Sequence, residues 1–361
     1  MTVVHLVPAM EEGGVESVVL SLNRGLVRAG HRSVVISRGG KLVPRIEADG
    51  GTHVALDLKS KNPLTYFSRA LRLRRVLKSL RLSPSTSPSI VVCAHSRVPA
   101  WLFVWANRAL ALPWITYAHG ANSVSRYSRV MTRGDRVVAP SRFLADYLVE
   151  NYPDDPRMPP ERRLGARLRI VPNGIDLKRF DPERLDLDCV AARRAEWGIR
   201  PGDFVTMSVG RITALKGFDA VIRDFAATLP ARPRSRLVII GGADADKQEL
   251  LADLRRLAKA LGVGDRVVFA GPQSKVPECL SLADEVVSGN TTKPESFGLS
   301  VVEAYAMNRP VRVLRKFGGV AEIMDAVAAS GQPTLREAVA ALYGSDAAMQ
   351  KTLAVLSEFV I

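Results

Sequence analysis

A short β-branched run that ends at a glycine turn and restarts as a helix is the unit that limits what this chain can fold into. Residues 3–7 form the first such run, Gly13 and Gly14 the turn, and residues 16–29 carry Val18, Val19, Leu22 and Leu26 at helical spacing before Gly30 stops them. Further β-branched runs follow at 33–37, 54–58, 90–94, 114–118 and 136–139, each trailed by a turn or a helical pattern. Residues 152–169 then lose all periodicity, and Pro153, Pro156, Pro159 and Pro160 exclude a continuous helix there. A run at 168–171 and Pro172-Asn173-Gly174-Ile175-Asp176 lead into a second series, with strands at 204–209, 236–240 and 267–270 and helices at 217–228 and 246–261. Such alternation predicts an α/β chain of two Rossmann-like domains, each a doubly wound parallel sheet, and 361 residues suit two cores better than one.

The chain is 47% hydrophobic and 24% charged, a globular composition. Its start lacks a basic leader and cleavage site, and no apolar stretch reaches the ~18 residues of a membrane span. The three cysteines, Cys93, Cys189 and Cys279, follow no metal or disulfide spacing and read as small buried hydrophobes in a reducing compartment. A cytoplasmic protein is expected. Its formal net charge of +15 calls for an anionic partner. Part of that excess is concentrated in Lys59, Lys61, Arg69, Arg72, Arg74, Arg75, Lys78 and Arg81, with no acid among them. Asn62 as cap, Pro63 in the first turn and Tyr66, Ala70, Leu73, Leu77 and Leu80 on one face make this a basic amphipathic helix. It packs on the sheet with a solvated cationic face, and that face would also suit the anionic inner surface of the cytoplasmic membrane. No zinc finger, aromatic RNA-binding motif or recognition helix supports nucleic acid as the partner. Ser83-Pro84-Ser85-Thr86-Ser87-Pro88 is a solvated low-complexity loop.

Three places carry chemistry. Gly13-Gly14, after a strand and before a helix, allows close backbone approach of an anion, but the G-x-G-x-x-G spacing of a dinucleotide enzyme is absent. Arg211 and Lys216 flank the turn between strand 204–209 and helix 217–228, so two cations converge where open sheets bind ligands. Glu295 and Glu303 bracket Ser296-Phe297-Gly298-Leu299, and carboxylates so placed suit bidentate bonding to vicinal hydroxyls. No metal is expected: the five histidines have no ligand spacing.

Taken in order, Gly13-Gly14-Val15-Glu16, Pro172-Asn173-Gly174-Ile175-Asp176, the Arg211/Lys216 pair and the Glu295 to Glu303 segment resemble the retaining GT-B glycosyltransferases of family 4, from Met1 to about Glu322. His95-Ser96-Arg97-Val98-Pro99-Ala100-Trp101 and Tyr117-Ala118-His119-Gly120 resemble its lipopolysaccharide-core and envelope-polysaccharide branch. The resemblance implies a GT-B fold: an acceptor domain at 1–170, a donor domain at 171–340 facing it across a cleft, and a terminal helix at 341–361 packing back on the first domain. It implies transfer of a hexose from a nucleoside diphosphate, UDP before GDP-mannose, to a lipid-linked or envelope glycan, without metal or cofactor. A non-catalytic sugar-nucleotide binder is the alternative of another class, and a nucleotide-sugar 2-epimerase, which lacks this donor motif, is a weaker one. By the same resemblance Arg211 and Lys216 hold the diphosphate, Glu303 the ribose, and Glu295, Ser296, Phe297, Gly298 and Leu299 the sugar. Gln273 and Val276 then frame the base, His119 reaches the sugar, and Gly13 and Gly14 line the reacting centre. The chain departs from the family after Gly318-Gly319-Val320-Ala321-Glu322, where a glycine-rich turn and strand look abbreviated. Arg312, Arg315 and Lys316 stand where relatives carry small or acidic residues, which reads either as a more anionic ligand or as surface drift.

Overall fold

The computed structural model describes residues 1–359 apart from 12, 61 and 83–88, so the Ser-Pro segment lies outside the described residues. Contacts gather into two units, residues 1–174 with 345–361, and residues 175–344.

The first unit is built on seven parallel strands: β1 (Thr2–Leu6), β2 (Arg32–Ser37), β3 (Thr52–Ala55), β4 (Ile90–Ala94), β5 (Trp114–Tyr117), β6 (Arg136–Ala139) and β7 (Leu168–Ile170). They lie in the order β3-β2-β1-β4-β5-β6-β7, with Thr2 in register with both Arg32 and Ile90. Both sheet faces are covered, which is why β1 is buried along its whole length. Val4 and Leu6 pack with Leu73, Leu77 and Phe103 on one face, and Val3 with Leu22, Leu26 and Val355 on the other. The helix Ser345–Ser357 lays Met349 over Gly25, where a Cβ would stand 2.2 Å from the Met349 methyl. Glu358 fastens that end by accepting from Arg136 Nε at 2.5 Å and Arg169 Nε at 2.8 Å, and the two guanidinium groups hold its carboxyl down to about 2.

Two expectations need correction here. The third strand is Thr52–Ala55, the residues in register with β2; Leu56 adds one hydrogen bond to the Ser37 carbonyl, and Leu58 is buried beyond it. Residues 168–170 close the first sheet against β6. The basic helix, Tyr66–Leu82 after a 3₁₀ turn Pro63–Thr65, is capped by Asn62 as expected, yet its charge is only partly solvated. Arg69 is 5% exposed and donates to the carbonyls of Ser60, Asn62 and Thr65. Arg74 donates to Trp105 and Ala106, and Arg81 to Leu110, so these cations satisfy orphan carbonyls at the end of the helix Arg97–Ala106 and in the turn after it. Arg72, Arg75 and Lys78 stay exposed beside the exposed apolar Leu64, Phe67 and Leu71.

The second unit has five parallel strands, β8 (Phe204–Val209), β9 (Ser235–Ile240), β10 (Val267–Gly271), β11 (Glu285–Ser288) and β12 (Val311–Val313), in the order β10-β9-β8-β11-β12. Strands β11 and β12 are four and three residues long, too short for sequence periodicity to reveal. Arg312 explains part of the departure noted above: it forks onto Asp224 at 2.7 and 3.0 Å and onto Glu285 at 3.2 and 3.3 Å, tying β12 to β11 and to the helix Phe218–Thr228. It is held by protein carboxylates and is not offered to a ligand. Arg315 donates to the Thr291 carbonyl and Lys316 pairs with Asp325. Gly318-Gly319 opens a helix directly, Gly318–Ala329. Cys93 and Cys279 are buried, whereas Cys189 is half-buried. Among the described residues no helix is long and apolar enough to cross a membrane.

In each sheet the chain reverses its direction of winding once, between β1 and β4 in the first unit and between β8 and β11 in the second. The carboxyl ends of strands flanking such a reversal leave an open crevice in which ligands of doubly wound sheets settle.

Candidate active site

In the second unit that crevice brings together the turn after β8 and the loop after β11. Lys216 leaves a 3₁₀ turn, Ala214–Lys216, and Gly217 at φ 61° reverses the chain into the helix Phe218–Thr228. A Cβ on Gly217 would sit 2.0 Å from the Gly289 carbonyl oxygen, so the two loops touch through a position only glycine fills. The Lys216 stem lies across Gly210, and its Nζ donates to Glu295 Oε1 at 2.7 Å. Asn290, 4% exposed, donates to the same oxygen at 3.2 Å and keeps its own Oδ1 buried and unpaired. A half-buried ammonium and carboxylate are thus held side by side, with the side chains 25% and 14% exposed. Arg211 is open to solvent, its nearest acid being Asp244 at 3.9 Å.

Glu295 to Leu299 is held by the glycines that follow β12. Gly319 donates its N–H to the Glu295 carbonyl at 2.8 Å, and a Cβ on Gly319 would meet the Ser296 carbonyl oxygen at 2.4 Å. The Gly-Gly-x-x-Glu motif therefore serves close packing of a helix start on the glutamate loop. Phe297 is 5% exposed and meets Tyr343 edge-on at 5.6 Å, so its ring anchors the loop in the core and leaves only its backbone to a ligand. Gly298, at φ 111°, caps the helix Leu299–Ala306; its carbonyl accepts from the N–H groups of Val301 and Val302, and no hydrogen bond engages those of Leu299 and Ser300 among the described residues. Glu303 stands one turn further along. No hydrogen bond or ion pair engages its carboxylate among the described residues. Burial pushes its carboxyl up to about 7, against the opposing pull of Arg179 and Lys216. Gln273 turns its amide back onto the Ala270 carbonyl at 2.7 Å, and Val276 begins a short helix and packs on the core.

Sequence reasoning missed Asn290 and Arg179. Asp176 accepts from the backbone N–H groups of Lys178 and Arg179, forming the turn that presents Arg179, so the Pro-Asn-Gly-Ile-Asp run carried a readable signal. Asn290 carried none, because β11 was not recognised.

In the first unit Gly13 is extended, at φ 176°, and a Cβ there would meet only the movable Glu16 carboxylate, while a Cβ on Gly14 would meet nothing within 4 Å. The fold itself demands neither glycine. His119, just beyond β5, bonds inward to His95, which bonds to His5, each at 3.0 Å. Burial holds His5 and His119 down to about 4 and His95 lower still.

The two halves of the chain match two family models in succession, Glycosyltransferase Family 4 over residues 12–179 and Glycosyl transferases group 1 over residues 191–331. The chain belongs to the GT-B glycosyltransferases. A glycosyltransferase from Rickettsia africae shares the fold at a TM-score of 0.81 and 20% identity, over 99% of this chain and 98% of that one. Anabaena Alr3699/HepE, solved with UDP and glucose, does so at 0.78 and 16%, over 99% and 100%. WaaG, a glycosyltransferase involved in lipopolysaccharide biosynthesis, reaches 0.64 and 17%, over 98% and 94%. These identities speak for the fold alone. By sequence, the D-inositol 3-phosphate glycosyltransferases of Segniliparus rotundus and Actinosynnema mirum are 33% and 36% identical over 53% of the chain. The matched parts cover 39% and 43% of those proteins, so the chain spans about two fifths of the length of the curated relatives it matches.

The structural role of Arg312 in this glycosyltransferase has a direct check. Arg312→Leu is expected to cost about 1 kcal/mol of stability, since the pair is partly exposed, and to leave nucleotide affinity within about twofold of the unmodified protein. Thermal denaturation and calorimetric titration read the two effects separately.

Proposed function

We propose that the protein transfers a hexose from a nucleoside diphosphate sugar, a UDP-sugar first, to an envelope glycan such as a lipopolysaccharide core, with retention of configuration and without metal or cofactor. The observation that carries this is the half-buried Lys216–Glu295 pair beside the open Leu299 and Ser300 N–H groups at the start of Leu299–Ala306, with the unengaged Glu303 behind it. Lys216 and Arg211 neutralise the diphosphate as it leaves, the task a divalent ion performs elsewhere. Glu303 accepts from the ribose hydroxyls, and Glu295 with the backbone N–H groups of residues 297–299 orients the sugar. Gln273 and Val276 border the base and Ser296 the sugar, and in the first unit Gly13 and Gly14 leave room for a ligand beyond β1. No carboxylate is assigned as a nucleophile; the departing phosphate oxygen takes the acceptor proton on the face where it leaves. A UDP donor is favoured by HepE, solved with UDP-glucose.

A cytoplasmic protein resting on the inner membrane fits the exposed Leu64, Phe67 and Leu71 flanked by Arg72, Arg75 and Lys78, next to an apolar hollow of about 310 Å³ lined by Tyr66, Val98, Trp101 and Tyr127. A phosphorylated polyol acceptor is the second reading, favoured by the named activity of the relatives. GDP-mannose as donor is the alternative on the nucleotide side.

Turnover decides among these. UDP-, GDP- and ADP-sugars are incubated with lipid-linked core glycan or inositol phosphate in EDTA, and diphosphate release and product anomer are followed. The reading expects UDP release and a product with the donor's anomeric configuration. Inversion, an absolute need for metal, or no release from any donor contradicts it.

A further inference from the structure

His5, His95 and His119 form a line of imidazoles running outward from the middle of the first unit's sheet. His5 Nδ1 lies 3.0 Å from His95 Nε2, and His95 Nδ1 lies 3.0 Å from His119 Nε2. The ring of His95 stacks on Tyr117, with centroids 4.7 Å apart, and lies edge to edge with His119, 19° between the ring planes. Among the described residues the other titratable groups beside the line are the Cys93 thiol and the Tyr117 hydroxyl, both kept neutral by burial, and no carboxylate is paired with it. The line is therefore three neutral rings, each with one N–H and one bare nitrogen.

Two neutral rings bond only if one donates and the other accepts, so both bonds must point the same way. Pointing inward, they would place the last proton on His5 Nε2, which is buried and has no partner. A buried unpaired N–H is among the rarest features of folded proteins, and a bare ring nitrogen is far cheaper to leave alone. Pointing outward, His5 Nδ1–H donates to His95 Nε2 and His95 Nδ1–H donates to His119 Nε2. The last proton then sits on His119 Nδ1. No protein group engages that atom among the described residues, and it is not one of the buried unpaired atoms.

We propose that His5 and His95 are positioning residues that lock His119 as a neutral hydrogen-bond donor at Nδ1, so that it offers an N–H to an oxygen of a ligand bound beyond β5 and does not serve as a base. The tautomer follows from this unit's geometry alone; its use rests on the function proposed above. Neither inner histidine touches the ligand, and both are set by the dead end at His5 Nε2.

The test is long-range proton–nitrogen correlation on the full chain with labelled histidine at neutral pH. All three rings are expected with the proton on Nδ1, the minority form of free histidine. His119 protonated on Nε2, or charged, overturns the proposal. His5→Leu removes the inner donor and should release His119 into a mixture of tautomers, whereas His5→Asn, whose amide N–H replaces Nδ1–H, should keep it on Nδ1. In turnover, His5→Leu is expected to lower kcat about tenfold with unchanged UDP affinity, and His5→Asn to restore it. Equal kcat in both variants overturns the positioning role. Should no donor turn over, the glycosyltransferase reading fails and the tautomer assignment still stands or falls on the spectra. Should His5→Leu not fold, the unmodified protein and His5→Asn still decide it.

Discussion

Lys216→Ala is expected to weaken binding of a nucleoside diphosphate by about 100-fold or more, because it withdraws the charge opposite the phosphates from a crevice with little water to replace it. It also leaves Glu295, 14% exposed at the side chain, with Asn290 as its remaining hydrogen-bond donor, so the ligand-free protein should lose about 1–3 kcal/mol. Lys216→Met separates the causes. Its stem still covers Gly210, and a loss of affinity equal to that of the alanine variant assigns the effect to charge. Retained affinity in the methionine variant would assign it to packing.

Glu303 is expected to act in opposite directions on stability and on binding. Its carboxyl is raised from the ordinary 4.5 to about 7 by burial, so the folded state holds a proton that the unfolded chain gives up earlier. The favourable contribution is complete below about 4.5 and is lost as pH rises through about 7. Glu303→Gln, neutral at every pH, should therefore equal the ligand-free protein in acid and exceed it in stability by about 1–2 kcal/mol above pH 8, the partial exposure trimming the full effect. The same variant should bind UDP at least ~10-fold more weakly, since an amide accepts ribose hydroxyls less strongly than a carboxylate. Melting curves from pH 4 to 9 with and without UDP measure both; a variant that is less stable at high pH, or that binds as well, contradicts the assignment.

The sheets were legible where runs of five or six mostly apolar and small residues carried β-branched pairs or triplets, which is why β1, β2, β4 and β8 fell within a residue of where the sequence put them. Short β11 and β12 were not, because four and three residues are too few to show a period. The motif residues stood out by type, glycine and charge at turn positions, and structure then separated their tasks. Phe297 proved an anchor and Gly319 a packing contact, while Lys216 and Glu295 proved partners 79 positions apart. Charge was the least legible. Arg74, Arg81 and Arg312 look alike in sequence to Arg72 and Arg75, yet their partners are carbonyls and carboxylates from distant segments. The histidine line was hidden for the same reason, since only the winding of its sheet brings its members together, and Asn290 because β11 was not recognised.

The most direct test of the central claim, that residues 175–344 hold a nucleoside diphosphate through Lys216, Glu295 and Glu303 without a metal, is calorimetric titration of UDP in EDTA. The account predicts saturable one-site binding by the unmodified protein, abolished by Lys216→Met. Absence of binding until a divalent ion is added, or equal affinity in the variant, would contradict it.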